Sequence, residues 1–328
     1  MREPITAGER LSVTLRFLAT GESFRSLAFQ YSMHWTTLGK LIPEVLNAIF
    51  TVLESEYFNM PSAEDEWLEM ARITEEKWNF PNAYAAADGK HIAIKKPDDS
   101  GGTYKNYKDF FSIVLLAFVT HDYKIVYADV GAQGRISDGG VWRDCSLNQA
   151  LSRNLLHLPA PRPLPLSQDP KWLHLEQEDQ VDLPFVFVAD SAFPLTRYCL
   201  KPYPDRQSDD RKRIFNYRLS RFRRVSENAF GILVNVFGIF RTTIDLPPDK
   251  CIKLVLAAVT LHNMLRTKSE KYQVATDEIV EDCADETHLT PLEPRRGNFT
   301  MQAKQIREHF ADYFYGPGEV YWQWNTVS

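Results

Sequence analysis

Residues 83–97 read AYAAADGKHIAIKKP, a run with the texture of a strand that a proline closes, and Asp88 sits inside it. Proline ends such a run because it has no N–H to give to a ladder. A second run, PFVFVAD at 184–190, has the same plan and ends on Asp190. Between them FFSIVLLAFVT (110–120) is almost continuously apolar, as a strand buried on both faces requires, and KIVYADVG (124–131) is a further strand. GRISDGG (134–140) is a glycine-rich loop, and VWRDCSLNQALSRNLL (141–156) is a helical pattern. Two more helices follow, IFNYRLSRFRRVSENAFGILVNVF (214–237) and KCIKLVLAAVTLHNMLR (250–266). Three strands, a helix, a strand and then helices predict a mixed α/β sheet flanked by helices.

Outward from this core, residues 1–60 form a helical module. LSVTLRFLAT repeats Leu11, Leu15 and Leu18 at helical spacing, Gly21 breaks the helix, and Ser23 caps FRSLAFQY. WTTLGKLIPEVLNAIFTVL then makes a third helix carrying Pro43. That order is either a helix-turn-helix-like unit or a three-helix packing domain. In the first case His34, Thr36, Thr37 and Lys40 are the candidates for base or phosphate contact. Residues 61–80 are a connector with one acidic helix, and 81–266 hold the sheet, with a proline-rich insertion at 159–184. In 267–328, Asp277–Glu286 reads as a flexible acidic segment and Arg307–Phe314 as a last short helix.

Composition bounds the function. The chain has 328 residues, 38 Lys plus Arg against 43 Asp plus Glu, 44% hydrophobic and 25% charged, which is ordinary for a soluble globular chain of about two domains. Four scattered cysteines without a CxxC pair exclude a zinc ribbon and a disulfide scaffold, and fit a reducing compartment. Neither Phe111–Val119 nor Leu254–Leu261 reaches the ~20 apolar residues of a bilayer span, so no membrane role is expected. A formal charge of -5 excludes a polybasic DNA coat but not a local basic groove.

Three acids hold special places: Asp88 on the first strand, Asp190 at the end of the fourth, and Glu227 on the long helix. A carboxylate in apolar surroundings is costly unless paired or metal-bound, and ligands in open α/β sheets gather at carboxyl ends of strands. Mg²⁺ or Mn²⁺ relieves the repulsion of such a cluster. In a two-ion arrangement Asp88 would bridge both ions, with Asp190 and Glu227 each holding one, to drive in-line attack on a phosphodiester. The competing reading makes Asp88 a turn acid, Asp190 a helix cap and Glu227 an ion-pair partner of Arg223 or Arg224. Arg218, Arg221, Arg223 and Arg224 lead into Glu227 and suit a phosphate backbone, or else a solvated face. Lys105 and Lys108, interleaved with Tyr104 and Tyr107, form a second patch, either a single-strand contact or a strand-entry loop. His91 either orients a phosphate or a metal-held water or is hydrogen-bonded in the sheet, and His262 with Asn263 is expected to brace helix packing. Ser23 and Ser220 lack a His/Asp pattern for nucleophilic catalysis, and neither GxxxxGK[ST] nor GxGxxG occurs.

AADGKHIAIKKP, SGGTYKNYKDFFSIVLLAFV, VGAQGRISDGGVW, VADSAFPLTRYCLKPYP, FNYRLSRFRRVSENAFGIL and LHNMLR, in that order, resemble the PIF/Harbinger transposase family, as do GERLSVTLRFLATGESFRSLAFQYSM and the terminal WQW. The resemblance implies an RNase H-like core and a DDE triad that cuts or joins DNA with divalent metal. By position the triad falls on Asp88, Asp190 and Glu227, with Asp138 as an auxiliary acid or a turn residue. Two departures stand out: Ser191 where a second acid follows in the family, and Gly238 where a basic residue is typical. The resemblance further implies DNA as substrate, a Myb-like partner protein assisting nuclear entry, a homo-oligomer, and a nuclear location with cytoplasmic residence when the partner is missing. The expectation is therefore a metal-dependent DNA endonuclease, with strand transfer as an added activity. The alternatives are a catalytically silent DNA-binding or adaptor protein on the same fold and a hydrolase of small phosphoesters.

Overall fold

The computed structural model describes residues 4–136, 138–165, 181–204, 209–282, 289–291 and 300–326. Helix α1 (Ala7–Thr20) opens with a capping box between Thr6 and Glu9, and ends at Gly21, whose φ of 67° is the left-handed cap that glycine accepts without strain. Ser23 caps α2 (Phe24–Gln30), as its place in the sequence predicts, and the His34 ring caps α3 (Trp35–Tyr57), which carries Pro43 within it. Helix α4 (Glu64–Trp78) is the acidic connector helix.

Strands β1 (Ala83–Ala93), β2 (Ser112–Val119) and β3 (Ile125–Gln133) form an antiparallel meander. The predicted single helix after β3 is two, α5 (Asp138–Asp144) and α6 (Ser146–Ser152), because Cys145 leaves the helical conformation and its thiol accepts from the Asn148 amide to cap the second. Strand β4 (Val186–Ala189) then runs parallel to β1, and β5 (Cys199–Leu200) runs parallel to β4. Helices α7 (Asp210–Val236), α8 (Pro248–Lys268) and α9 (Glu270–Asp282), the short strand β6 (Thr290–Pro291) and α10 (Met301–Tyr315) complete the order. The path β3-β2-β1-β4-β5, with β6 added on β1, is the RNase H-like mixed sheet that the resemblance implies. Strands β5 and β6, two residues each, are too short to leave an alternation in the sequence.

Of the predicted flexible acidic segment at 277–286, residues 277–282 are the last turns of α9, and 283–286 lie outside the described residues. Asp277 is held in that helix by Arg266 at 2.9 Å. Of the proline-rich insertion, 166–180 lies outside the described residues, but its two roots are tied together. Arg162 pairs with Leu183, and the Asn82 amide donates to both of their carbonyls at 3.0 and 3.2 Å.

One apolar core joins Val13, Phe17, Leu38 and Leu46 of the amino-terminal helices to Ile113, Leu115 and Val188 of the sheet and Leu254 and Val255 of α8. Helix α3 is long and apolar enough to cross a membrane by composition, which the sequence reading did not single out. Its Leu38, Leu41, Ile42, Leu46 and Ile49 stripe is buried in this core, as a core helix requires. Asn263 of α8 fastens the layers: its carbonyl accepts from the Ile125 amide at 2.9 Å, and its amide donates to Tyr57 at 2.8 Å and Ile125 at 2.7 Å. At Gly238, a Cβ would stand 2.5 Å from the Ala19 carbonyl oxygen, so the position is filled by α1 rather than open to DNA.

Candidate active site

Side-chain parity along β1 decides which residues meet. An irregularity in the β1–β4 pairing between Ala83 and Ala86 resets the alternation, after which Ala86 and Ile92 face the core under α7 and α8, while Ala87 faces the opposite core. Asp88 and Lys90 therefore point toward α7, and His91 points away. The parallel register pairs Ala87 with Ala189, so one residue further on Asp88 and Asp190 stand side by side, Asp88 midway along β1 and Asp190 just past the carboxyl end of β4. Helix α7 crosses above them and supplies Arg223 and Glu227.

The loop that turns away after Asp190 is pinned. The Asp190 carboxylate accepts from the Ala192 amide at 2.9 Å, and the buried Lys201 ammonium donates to the carbonyls of Ser191 at 2.7 Å and Phe193 at 2.8 Å. Ser191 thus contributes its backbone to a brace.

Asp88 is 2% exposed. Its Oδ1 accepts from the Gly89 amide at 2.8 Å. Its Oδ2 lies 3.1 Å from the Lys90 ammonium but makes no hydrogen bond of good geometry. Burial first, and the neighbouring Asp88 second, push the Asp190 carboxyl above the usual carboxylate range, while the Ala192 amide, Arg223 and Lys90 pull it down. Arg223 binds Glu227 at 2.6 Å. Burial works against its charge, but Glu227, Asp88 and Asp190 together hold the guanidinium above its ordinary value. Three carboxylates thus share one site with Lys90 and Arg223, and the Lys201 ammonium stands close enough to act on Asp190. The mouth of the site is at Glu227, whose side chain is 36% exposed.

Among the described residues no three of His, Cys, Asp and Glu converge closely enough to share a metal ion. The three-acid cage predicted from the sequence is therefore not assembled, because Arg223 holds the third acid. The aspartate pair by itself suits a hard divalent cation: the buried Asp88 and half-buried Asp190 carboxylates repel each other, and one Asp88 oxygen, though near the Lys90 ammonium, accepts no well-formed hydrogen bond.

The remaining predicted residues separate clearly. His91 lies on the opposite face, its Nδ1 3.0 Å from the Ser112 hydroxyl and its ring against Tyr107 and Phe110. Burial, helped by Lys108, lowers its pKa to about 4, so it is a neutral imidazole bonded within the sheet, on the face away from Asp88. Asp138 opens α5, and its side chain lies outside the described residues. Arg218 is 2% exposed and cannot meet DNA. It donates to Gly318 and Gln323 and lies over the rings of Phe314 and Trp322. Arg221 stacks on Trp322 with 4.2 Å to the ring centroid and donates to Asn79. Of the four arginines before Glu227, Arg224 is the one exposed to solvent. Thr36, Thr37, Lys40 and Lys108 are exposed as well, and Lys105 is exposed but paired with Asp109 at 2.9 Å. Lys90 and Lys201 are site residues that the sequence reading missed. The signal for Lys90 was available: in a strand the residue two places after Asp88 shares its face.

Comparison with known proteins gives the family. The family profile described as DDE superfamily endonuclease matches residues 87–263, a span that begins one residue before Asp88 and encloses Asp190 and Glu227. Among curated proteins, "Protein ALP1-like" of Arabidopsis thaliana is 23% identical over 265 residues, which cover 80% of this chain and 61% of that relative. The chain thus spans about three fifths of the length of the relative it matches. No solved structure matches.

Proposed function

The chain belongs to the DDE superfamily endonucleases, and from that premise we propose that it is a metal-dependent DNA endonuclease of the transposase-derived type. The observation that carries the reading is the Asp88–Asp190 pair, Asp88 buried midway along β1 and Asp190 half-buried just past the end of the parallel strand β4, with one Asp88 oxygen that meets only the Lys90 ammonium and accepts no well-formed hydrogen bond. Those two carboxylates would hold Mg²⁺ or Mn²⁺. The ion, when bound, supplies Lewis-acid stabilisation of the phosphoryl oxygens and eases ionisation of the attacking water. Lys201 fixes the loop after Asp190 and so sets where that carboxylate points. Glu227 joins the site only by parting from Arg223, and the freed guanidinium then faces the phosphate with its two-pronged donor set. A DNA 3′-hydroxyl in place of water turns the same geometry to strand transfer.

Arg224, Lys108, Lys40, Thr36 and Thr37 are the surface groups proposed to meet the DNA backbone, with Lys105 once released from Asp109. This is a modest cationic set, because Arg211, Lys212 and Arg213 are paired with acids of the chain. Few phosphate contacts give weak affinity, which supports the need for a Myb-like DNA-binding partner; nuclear residence with that partner and self-association are part of the same proposal.

The 2.6 Å Arg223–Glu227 pair favours a second reading, a catalytically silent DNA-binding or adaptor protein on this fold. Manganese binding, followed by paramagnetic resonance on wild type and Asp190→Asn, separates the two. Binding in wild type that weakens at least ~100-fold in the variant supports the nuclease, since loss of a ligand should exceed the 10–100-fold that supporting residues cost. No binding in either protein at millimolar metal, with a DNA duplex present, sinks the nuclease and leaves the adaptor.

A further inference from the structure

A DDE site is expected to hold two divalent ions, yet this one already contains a buried positive charge at its centre. Lys90 is 5% exposed and sits two residues from Asp88 on the same face of β1, with its ammonium 3.1 Å from the otherwise unbonded Oδ2. Its position is fixed by neighbours on both sides. The backbone pairs with Leu115 of β2 and Pro291 of β6, and the ammonium lies 5.7 Å from the centroid of the Phe230 ring. A lysine enclosed in this way cannot carry its charge out to water when a metal arrives.

The charge balance then limits what the site can accept. Asp88, Asp190 and Glu227 against Lys90, Arg223 and the buried Lys201 ammonium, which Asp190 acts on, leave no net charge. One divalent ion and one DNA phosphate leave one positive charge. A second divalent ion would leave three uncompensated positive charges in a largely buried site, which desolvation makes expensive. We propose that Lys90 fills the place of the second cation, so that this site takes a single divalent ion beside the lysine. Lys90 acts as a fixed counter-charge to Asp88, and the ion is held on the Asp190 side of the pair. This inference rests on the metal-dependent reading above and narrows it.

Manganese titration of the full chain by paramagnetic resonance tests it without any assay of cleavage. The variants are Lys90→Gln, Lys90→Arg and Asp190→Asn, each first shown to melt cooperatively. Wild type and Lys90→Arg should bind one ion per chain. Lys90→Gln should bind a second ion, or bind the first roughly tenfold more tightly. That factor is the lower bound given by repulsion between a single and a double charge ~6 Å apart at the permittivity of water. Two ions in wild type, or a Lys90→Gln variant with unchanged number and affinity, overturns the role of Lys90 while leaving a metal-dependent nuclease intact. No ion in wild type or any variant overturns the metal-dependent reading itself and this inference with it. The wild-type count decides the matter even if Lys90→Gln does not fold.

Discussion

Truncating Arg218 separates a structural arginine from a DNA-binding one. Its guanidinium donates to the Gly318 carbonyl at 3.1 Å, to Gln323 Oε1 at 2.9 Å and to the Asn79 carbonyl, and lies 4.5 Å from the Phe314 ring centroid and 5.3 Å from that of Trp322. Hydrogen bonds to a charged group contribute ~1.5–3 kcal/mol each, and a desolvated cation–π contact ~2 kcal/mol. Against this stands the cost of burying the charge, which lowers the Arg218 pKa to about 10. The gross sum is therefore not realised, and the expected net loss for Arg218→Ala is the ~3–5 kcal/mol typical of breaking a buried charged network. At roughly 2 °C per kcal/mol for a chain of this size, Tm should fall by ~6–10 °C in a thermal melt. The loss should come with release of the carboxyl-terminal segment, seen as a change in tryptophan fluorescence, since Trp322 stacks on this arginine. DNA affinity measured well below Tm should change less than ~2-fold. A variant with unchanged Tm and weakened DNA binding would falsify the assignment and restore Arg218 as a phosphate contact.

Other predictions follow from the same geometry. Burial lowers the pKa of His262 to about 4 while its Nε2 donates to the Tyr123 carbonyl at 2.8 Å, so the folded chain resists a proton that the unfolded chain takes up near pH 6.5. Stability is then complete above pH 6.5 and declines as pH falls toward 4, by up to ~3 kcal/mol; His262→Gln should flatten that slope in urea melts, and an unchanged slope refutes it. Gly238→Ala places a Cβ 2.5 Å from the Ala19 carbonyl oxygen. It should cost ~1–3 kcal/mol and speed proteolysis between α1 and α2, whereas wild-type protease resistance would mean that α1 is not docked there. Arg224→Ala and Lys108→Ala should each reduce the slope of log affinity for DNA against log salt by about 1, and a slope that stays the same removes that residue from the interface.

The fold was legible because burial imposes periods on the sequence. FFSIVLLAFVT had to be a strand covered on both faces, and β2 does alternate between two cores, Ile113, Leu115 and Ala117 on one side and Val114, Leu116 and Phe118 on the other. The helices of the amino-terminal module, the Gly21 stop and the Ser23 cap were legible for the same local reason, whereas the caps made by Thr6 and His34 were not read. Such signals need several residues to repeat, which is why the two-residue strands β5 and β6 left none.

The sequence by itself determined most of the elements, their order and the three acids, since an acid closing or interrupting an apolar strand marks Asp88 and Asp190 whatever surrounds them, and the basic run and the family resemblance mark Glu227 on its helix. Only the tertiary structure decided what those acids meet. The irregular pairing near Ala83 resets which face Asp88 occupies, and that placed Lys90 beside it and sent His91 to the other side. The basic run before Glu227 looked uniform in the sequence, yet Trp322, about a hundred positions away, claims Arg218 and Arg221, Glu227 claims Arg223, and Arg224 alone is left to solvent. The reason is physical: strand and helix periods are set by near neighbours along the chain, while the environment of a charge is set by whatever the finished fold brings within a few ångströms of it.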